Sequence, residues 1–242
     1  MTRLFLDGII QKERVVHLTA EKAHYIATVL RSKIHDTLIV IDSTGAAYSA
    51  RISVIDKKQT SIEIIGDFHQ DNESPLDIIL LQGLLRGEKM DLVIQKATEL
   101  GVTEIVPVIT GRSQIRETRK LQRWQKIAGE ASRQCGRNRI PLIHEPDALE
   151  TVIASRRIKR GIIFWEKEGA SFSAALDQFK GEKKIVLCIG PEGGFSEKEV
   201  RAAEDRGFSV ASLGKRILRA ETASIVSISI AQFVLGDVSG HK

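Results

Sequence analysis

The sequence predicts an α/β protein in which a small β-rich domain, residues 1–70, precedes a larger parallel-sheet domain, residues 71–242. Up to residue 68, short apolar runs alternate with turn signals, a rhythm typical of small sheets and barrels. After Pro75, continuous apolar runs alternate with helical patterns, which indicates parallel strands covered by helices on both faces. The polar stretch HQDNESP between the two rhythms is the predicted linker.

The small domain is predicted to be a β-barrel that carries one helix, from about Thr19 to Leu30. Asp42 to Gly45 is predicted to form a hairpin turn, because Asp and Gly favour tight turns. Its strands are expected in the runs RLFLDG, VVHL, LIVIDSTG, AAYSARISVID and SIEIIGDF.

The large domain is predicted from the apolar runs LDIILLQG, TEIVPVIT, GIIFWE, KKIVLCIG and FSVASLG. Between the first two lies a predicted helix, closed by Gly101, whose apolar face is formed by Met90, Val93, Ile94, Ala97 and Leu100. Residues 116–136 are predicted to form a long basic helix. In a parallel sheet of this kind, ligands bind in the loops at the carboxyl ends of the strands.

Several classes of protein are disfavoured by the composition. Cys135 and Cys188 lie far apart without Cys or His at metal-ligand spacing, so neither a disulfide framework nor a metal site is expected. The apolar run at the start of the chain is too short for a signal peptide, and no segment reaches the roughly 20 apolar residues that span a bilayer. The sequence therefore predicts a cytoplasmic protein with no membrane partner.

Positive charge is concentrated in one stretch of the chain. Residues 111–160 carry 13 Lys and Arg against 5 Asp and Glu, whereas the whole chain has a net charge of +5. Most of these cations are arginines, which bind phosphate in bidentate geometry and stack on bases. The pattern favours a surface that binds nucleic acid, with a solvated helix face as the alternative.

The run KKIVLCIG ends at a glycine-rich loop, IGPEGGF. The loop matches neither the P-loop pattern nor the dinucleotide fingerprint. Its glycines allow close approach of the backbone to a ligand, and Ser196 with Glu199 forms a capping box that predicts a helix directly after the loop. A tight turn that needs glycine for steric reasons alone is the alternative.

A second unusual strand end, LGKRILRAETA, precedes a helix that is apolar on nearly every side. Such a helix must be buried in the core or against a second copy of the chain, which favours a homodimer. Structural ion pairing with Glu192 or Glu221 is the alternative role for Arg216 and Arg219.

Five motifs in this order resemble the bacterial small-subunit (16S) ribosomal RNA uracil-N3 methyltransferases of the SPOUT class: QGLLRGEKMDLVIQKATELGV, GRS at 111–113, EASRQCGRNRIP, IGPEGGFSEKEV and LGKRILRAETA. RLFLDG and AHYIATVLRSKIHD also resemble the PUA-like RNA-binding domain of that family, so the resemblance covers nearly the whole chain. The sequence departs from the family at His35-Asp36, where Gly-Asp is usual, and at His24-Tyr25, where His-His is usual.

The resemblance implies S-adenosylmethionine as the cofactor, held by backbone groups within a deep trefoil knot of the C-terminal segment. This ligand has no phosphate, which would account for glycines without a phosphate-binding lysine. By motif, the residues expected to line its pocket are Gly190, Glu192, Gly193, Gly194, Leu213, Gly214, Ile217, Leu218 and Ala223, with Trp165 and Glu166 at its edge.

The resemblance also implies methylation at N3 of a uridine, a nitrogen that becomes nucleophilic only when its proton is lost. A cation near the uracil oxygens would favour that loss. Arg219 is the first candidate, with Arg86 and Arg112 as alternatives. Glu221 or Glu192 would accept the proton or orient the arginine.

RNA is expected to bind the small domain and the basic stretch, and the resemblance implies action as a homodimer on the assembled small ribosomal subunit. The motif residues expected to contact RNA are Arg112, Ser113, Arg133, Gln134 and Arg137. Three alternatives remain open: a nucleotide-dependent α/β enzyme, which the missing P-loop lysine disfavours; a related methyltransferase acting on another base or on ribose; and a non-catalytic RNA-binding assembly factor.

Overall fold

A computed structural model of the protein describes residues 2–10, 15–56, 59–70, 72–167 and 169–240. The chain divides into two compact units. The smaller unit comprises Met1–Asn72 and Arg133–Arg139, and the larger unit comprises Glu73–Ser132 and Ile140–Lys242. The predicted α/β class with a parallel sheet in the second part of the chain is confirmed.

The smaller unit contains a mixed sheet and one helix among its described residues. The elements are β1 (Arg3–Phe5), β2 (Val15–His17), α1 (Ala20–His24) with a π-helical continuation (Tyr25–Val29), β3 (Thr37–Ile41), β4 (Ala47–Ile55) and β5 (Thr60–Asp67). The strand order is β1-β3-β4-β5-β2, with β1 and β3 parallel and the other pairs antiparallel. β1 and β2 stand at the two edges, and no ladder joins them in the described part.

The predicted turn between β3 and β4 is built around Asp42. Its Oδ1 accepts hydrogen bonds from the Thr44 amide at 2.8 Å and the Ala46 amide at 3.2 Å. Gly45 follows with φ of +88°, a backbone conformation that glycine adopts without steric penalty. The Asp and Gly of the sequence therefore occupy the positions that the turn requires, and the hairpin prediction is confirmed.

His35, one of the departures from the family pattern, adopts a left-handed backbone conformation with φ of +75°. Its amide donates to the carbonyl of Ile52 at 2.9 Å, and its side chain is exposed. A side chain in this conformation costs about 1–2 kcal/mol that glycine avoids. His35 thus adopts, under strain, a backbone conformation that glycine would adopt without steric cost.

Residues Arg133–Arg139 pack with the small sheet through a polar network. Buried Arg3 donates from Nη1 to Asn138 Oδ1 at 3.0 Å, and Asn138 Nδ2 donates to the carbonyl of Gln70 at 2.7 Å. The guanidinium carbon of Arg133 lies 5.1 Å from the ring centroid of Tyr25, within range of a cation–π interaction. The segment is therefore part of the small unit although it lies far along the chain.

The larger unit alternates strands and helices in its described residues. The strands are β6 (Asp77–Gly83), β7 (Glu104–Ile109), β8 (Leu142–Ile143), β9 (Asp147–Ala148), β10 (Gly161–Phe164), β11 (Ala170–Ser171), β12 (Lys184–Ile189) and β13 (Phe208–Ser212). The helices are α2 (Lys89–Glu99), α3 (Leu121–Cys135), α4 (Leu149–Ser155), α5 (Phe172–Asp177), α6 (Glu197–Glu204) and α7 (Ala220–Leu235); the last residues of α3 belong to the smaller unit.

Within the described residues these strands form one parallel sheet in the order β11-β13-β10-β12-β6-β7-β8, with β9 also paired to β7. Because the strands run in the same direction, the loops that follow them gather along one edge, which we call the carboxyl edge. The loops after β13, β10, β12, β6 and β7 are consecutive along this edge.

The sheet is buried on both faces, as the continuous apolar runs predicted. In β6, Ile78 and Leu80 pack on one face with Met90 of α2, while Ile79 and Leu81 pack on the other. Helices α2, α3, α5 and α7 contribute to the first face, and α4 and α6 to the second. Each side chain buried in this way contributes about 1.5–3 kcal/mol relative to exposure.

The long basic helix begins later than predicted, at Leu121 instead of residue 116. Thr118 Oγ1 accepts a hydrogen bond from the Lys120 amide at 3.1 Å, so a threonine side chain satisfies a donor that the helix would otherwise leave open. The predicted helices at α2 and α6 are confirmed. Gly101, which the sequence predicts to close the first, has φ of +82°, and the predicted capping box of Ser196 and Glu199 begins the second.

Helix α7 buries a face of small and polar residues and Ile228 within the chain. Gln232 Nε2 donates to the carbonyl of Leu100 at 2.8 Å, and Gln232 Oε1 accepts from Ser74 at 2.8 Å. The opposite side is apolar and open, since Phe233 is 60% exposed and Val234 is 43% exposed. The helix is therefore only half covered by its own chain. In the described part of the protein, no helix is both long and apolar enough to cross a membrane.

Candidate functional site

A cavity of about 410 Å³ opens at the carboxyl edge, bounded by the loops that follow β10, β12 and β13. Every residue that the sequence predicted for the cofactor pocket lines it. The lining residues are Lys89, Phe164, Trp165, Glu166, Ile189, Gly190, Pro191, Glu192, Gly193, Gly194, Ser212, Leu213, Gly214, Lys215, Arg216, Ile217, Leu218, Arg219, Ala220 and Ala223.

The glycines of the loop after β12 lie where an added side chain would crowd neighbouring atoms. A methyl group on Gly190 would lie 3.2 Å from the backbone of Gly194, and one on Gly193 would lie 3.1 Å from Cβ of Arg112. Gly194 has φ of +67°. At the end of β6, a methyl group on Gly83 would lie 2.3 Å from the nitrogen of Pro191. The backbone of this loop is thus closely packed from behind and bare toward the cavity.

Glu192 fastens the glycine loop to the loop that follows β6. Its Oε1 accepts from the Lys89 ammonium at 3.0 Å and from the Arg86 amide at 3.2 Å. Burial alone would raise the pKa of Glu192, but hydrogen bonds from its own amide, Lys89 and the Arg86 amide outweigh burial and lower that pKa below its ordinary value. The carboxylate is therefore a weak base whose oxygen is already engaged.

Trp165 and Glu166 follow β10 and form the adjoining wall. The Trp165 amide continues the sheet by donating to the carbonyl of Ala211 at 3.0 Å. Its indole Nε1 is buried and has no hydrogen-bond partner among the described residues, so it is a donor without an acceptor from the chain. A carboxylate oxygen of Glu166 would lie 3.3 Å from a methyl group on Gly194, which places Glu166 beside the glycine loop.

The predicted catalytic residues occupy different positions. Arg219 is exposed, lines the cavity and precedes the first turn of α7. Glu221 lies in that first turn and is not among the lining residues; its Oε2 is buried without a partner in the described structure. Arg86 is exposed in the loop after β6, and its backbone amide donates to Glu192 of the cavity wall. In the described residues neither Arg216 nor Arg219 forms an ion pair, and Glu192 pairs with Lys89 instead.

The turn that follows β7 is fastened to the start of α6 by Glu199. Its Oε1 accepts from the Gly111 amide at 2.7 Å, and its Oε2 accepts from the amide and hydroxyl of Ser196 at 2.8 and 2.7 Å. Burial would raise the pKa of Glu199, but these bonds and the charge of Arg112 lower it below its ordinary value. Arg112 itself donates to the carbonyl of Gly193 at 3.1 Å.

The residues predicted to contact RNA are divided between the two units. Arg112 is exposed and Ser113 is buried in the larger unit, where Ser113 Oγ accepts from the Thr110 amide at 2.9 Å. Arg133, Gln134 and Arg137 belong to the smaller unit. Arg133 is half-buried and Gln134 exposed, whereas Arg137 is only 3% exposed. Ser113 and Arg137 are thus oriented into the protein and not toward solvent.

Sequence reasoning missed part of the lining: Lys89, Phe164, Ile189, Pro191, Ser212, Lys215, Arg216 and Ala220. Most of them adjoin predicted residues in the same strand ends, so proximity in the motif was an available signal. Lys89 comes from a distant helix, and its only signal was its place within the motif QGLLRGEKMDL. Within the described ranges, no group of three or more His, Cys, Asp or Glu is placed to hold a metal ion.

Comparison with known proteins supports the family resemblance that the five sequence motifs predict. A family model described as an RNA methyltransferase domain matches residues 72–232, and one described as an RNA methyltransferase PUA domain matches residues 18–65. The chain is 35% identical over 241 residues to the ribosomal RNA small subunit methyltransferase E of Buchnera aphidicola subsp. Acyrthosiphon pisum, covering 97% of this chain and 94% of that protein.

Two solved structures match along the whole chain. A ribosomal RNA small subunit methyltransferase E from Neisseria gonorrhoeae bound to S-adenosyl methionine matches with a TM-score of 0.90 and 34% identity, covering 98% of this chain and 99% of that one. A methyltransferase from Legionella pneumophila in complex with the same cofactor matches with a TM-score of 0.89 and 33% identity over 98% and 99%. The resemblance predicted from five motifs is confirmed: the chain belongs to the RNA methyltransferase family that includes the ribosomal RNA small subunit methyltransferases E.

Proposed function

We propose that this protein methylates N3 of a uridine in small-subunit ribosomal RNA, on the assembled subunit, with S-adenosylmethionine as the methyl donor. The observation that carries the proposal is the cavity at the carboxyl edge, which brings together the residues of three separate motifs. The cofactor-bound relatives of nearly equal length support the choice of donor.

The residues present fit this cofactor. Gly190, Gly193 and Gly194 expose backbone at the cavity wall, where a methyl group on Gly190 or Gly193 would crowd a neighbour. The buried Nε1 of Trp165 offers a donor that the chain does not use. Backbone groups and an unused donor suit the uncharged adenosine part of S-adenosylmethionine, whose polar atoms need hydrogen bonds and not counter-charges. S-adenosylmethionine supplies an activated methyl group when bound.

The residues of the chain then have to promote loss of the N3 proton. Of the three candidate cations, Arg219 lines the cavity and Arg86 and Arg112 do not; Arg219 is also exposed and forms no ion pair in the described residues. A positive charge there would stabilise the uracil anion. Glu192 is disfavoured as the base by its lowered pKa and its bond with Lys89. Glu221 is assigned as a positioning residue at the start of α7, since it does not line the cavity.

We propose that the loop between β13 and α7 is threaded in the trefoil knot expected for the SPOUT class. This loop and the glycine loop line the same cavity. A parallel sheet with the strand order seen here is compatible with such threading.

We propose that the protein is a homodimer through the open side of α7. Ile230, Phe233 and Val234 are 36%, 60% and 43% exposed, and adjacent apolar side chains of this size on a monomer favour a protein interface. The smaller unit, with its PUA-domain match, is proposed to bind RNA. Ribosomal RNA as substrate implies a cytoplasmic protein.

The test is methylation of small ribosomal subunits that lack the modification, with labelled cofactor and mapping of the modified base. The proposal predicts one methylated uridine, with the methyl group on N3. A methyl group on ribose or on another base would instead identify a related methyltransferase with a different target atom. RNA binding without methyl transfer would identify a non-catalytic factor.

A further inference from the structure

Three cationic side chains of the larger unit lie against carbonyl oxygens of glycines at the carboxyl edge. All three side chains are exposed, and we call them the cationic row. The pairs are Arg112 Nη1 with Gly193 (3.1 Å), Lys120 Nζ with Gly87 (3.2 Å) and Arg116 Nη2 with Gly111 (3.5 Å).

The three glycines follow three neighbouring strands. Gly193 follows β12, Gly87 follows β6 and Gly111 follows β7, and these strands are adjacent in the order β12-β6-β7. The cavity is bounded by the loops after β13, β10 and β12. The cationic row therefore continues the edge where the cavity ends, and the glycine loop belongs to both.

The position of Lys120 is set by the packing of α3 on α2. Asp91 of α2 accepts from Nε of Arg123 at 2.8 Å and from Nε1 of Trp124 at 3.1 Å, and Trp124 is 2% exposed. These contacts, of which the one from Trp124 is buried, fix the first turn of α3. Lys120, the residue just before that helix, is thereby held over the loop that follows β6.

The positive charges of the cationic row are not paired with carboxylates in the described residues, and most of its N–H donors are not used. A bond to a carbonyl uses one donor of a group that has three in lysine and five in arginine, and in the described residues none of the three forms an ion pair. Two acidic groups at this edge are hydrogen-bonded to other residues: Glu192 accepts from Lys89, and Glu199, which feels the charge of Arg112, accepts from Gly111 and Ser196. Such cations are held in place for an anionic partner.

We propose that the cationic row binds successive phosphates of the RNA strand that carries the target nucleotide to the cavity. The inference rests on the proposed function and adds Arg116 and Lys120 as residues that bind the RNA backbone, which confers affinity and register but no sequence choice. Phosphate is favoured as the bound group because exposed arginine and lysine donors match its oxygens.

The test compares Arg116→Ala, Lys120→Ala and the double variant with the wild-type full-length protein. Binding to small ribosomal subunits that lack the modification is measured across a range of salt concentrations at constant magnesium. The slope of log affinity against log salt is expected to decrease by about 0.7 for each phosphate of single-stranded RNA that a variant no longer binds. Affinity for S-adenosylhomocysteine, measured by calorimetry, is expected to stay unchanged.

Matched controls are Arg206→Ala and Lys159→Ala. Both side chains are exposed and precede β13 and β10, at the opposite edge of the sheet, so their removal should leave the slope unchanged. A wild-type slope in the double variant would overturn the proposal that the cationic row binds phosphates. Methylation by the wild type would still support the proposed function in that case. If the wild type neither binds nor methylates these subunits, both proposals fail.

Discussion

The carboxylate of Glu199 joins two loops of the carboxyl edge by accepting a hydrogen bond from the amide of Gly111 at 2.7 Å while capping its own helix through Ser196. The contact places Arg112, the next residue, where its guanidinium reaches the carbonyl of Gly193. One side chain thus sets the positions of the turn after β7 and of the glycine loop after β12.

Glu199→Gln is expected to destabilise the protein by about 1–3 kcal/mol at neutral pH, because an amide cannot accept all the bonds that the carboxylate accepts. The folded-state pKa of Glu199 is lowered from 4.5. Its contribution to stability is therefore present above pH 4.5 and is lost as pH falls below that value. Denaturant unfolding between about pH 7 and pH 3 should show a shallower acid decline in the variant.

The matched control for this prediction is Glu197→Gln, in the same helix turn. Its ion pair with Arg201 is exposed, and exposed pairs contribute about 0–1 kcal/mol. An unfolding profile of Glu199→Gln that coincides with the control would contradict the role assigned to Glu199.

Arg219→Ala is expected to retain cofactor binding and to lose methylation. Removing one group that stabilises developing charge reduces kcat by about 100-fold to 1000-fold. Single-turnover methylation and calorimetric binding of S-adenosylhomocysteine measure the two quantities separately. Arg206→Ala serves as the control, and full turnover in Arg219→Ala would remove this residue from the mechanism.

Gly83→Ala is expected to weaken cofactor binding although Gly83 does not line the cavity. The added methyl group would lie 2.3 Å from Pro191 N and 2.7 Å from Gly190 C, so the glycine loop has to move. Overpacking of this kind costs about 1–3 kcal/mol, which corresponds to about tenfold or more in affinity if cofactor binding has to reverse the shift. Gly66→Ala, where a methyl group meets no atom within 4 Å, should bind cofactor normally.

His35→Gly is expected to stabilise the protein by about 1 kcal/mol, since glycine relieves the left-handed backbone strain at an exposed position. Thermal unfolding of the variant measures the gain. Lys33, two residues earlier, does not have a positive φ, so Lys33→Gly relieves no strain and should be neutral or destabilising. Equal destabilisation by both changes would show that His35 is not strained.

Phe233→Ser is expected to convert the protein to a monomer without loss of folding, because Phe233 is exposed on α7 within one chain. Light scattering after size exclusion measures the mass of the variant and the wild type. Ile9→Ser, at a position 65% exposed in the smaller unit, is the control and should remain dimeric. A monomeric wild type would contradict the dimer proposal.

The family resemblance supplied the predicted residues of the cavity wall, whereas the sequence pattern by itself determined the parallel α/β sheet, the helix after the glycine loop and the position of the glycines. These features depend on local pattern: buried strands are continuously apolar, a capping box spans four residues, and the glycines lie where their strands end. The loops then meet because parallel strands place their carboxyl ends along one edge.

Only the tertiary structure decided which of the motif's polar residues lie in the protein interior and which are exposed to ligands. Arg137 has the same side chain as exposed Arg112, and Ser113 is the next residue in the same motif, yet Arg137 and Ser113 are buried. Glu192 is a candidate base by its motif, and Glu199 a capping residue, yet each also joins two loops through its carboxylate. Burial and hydrogen-bond partners come from residues distant in the chain, and no local pattern specifies them.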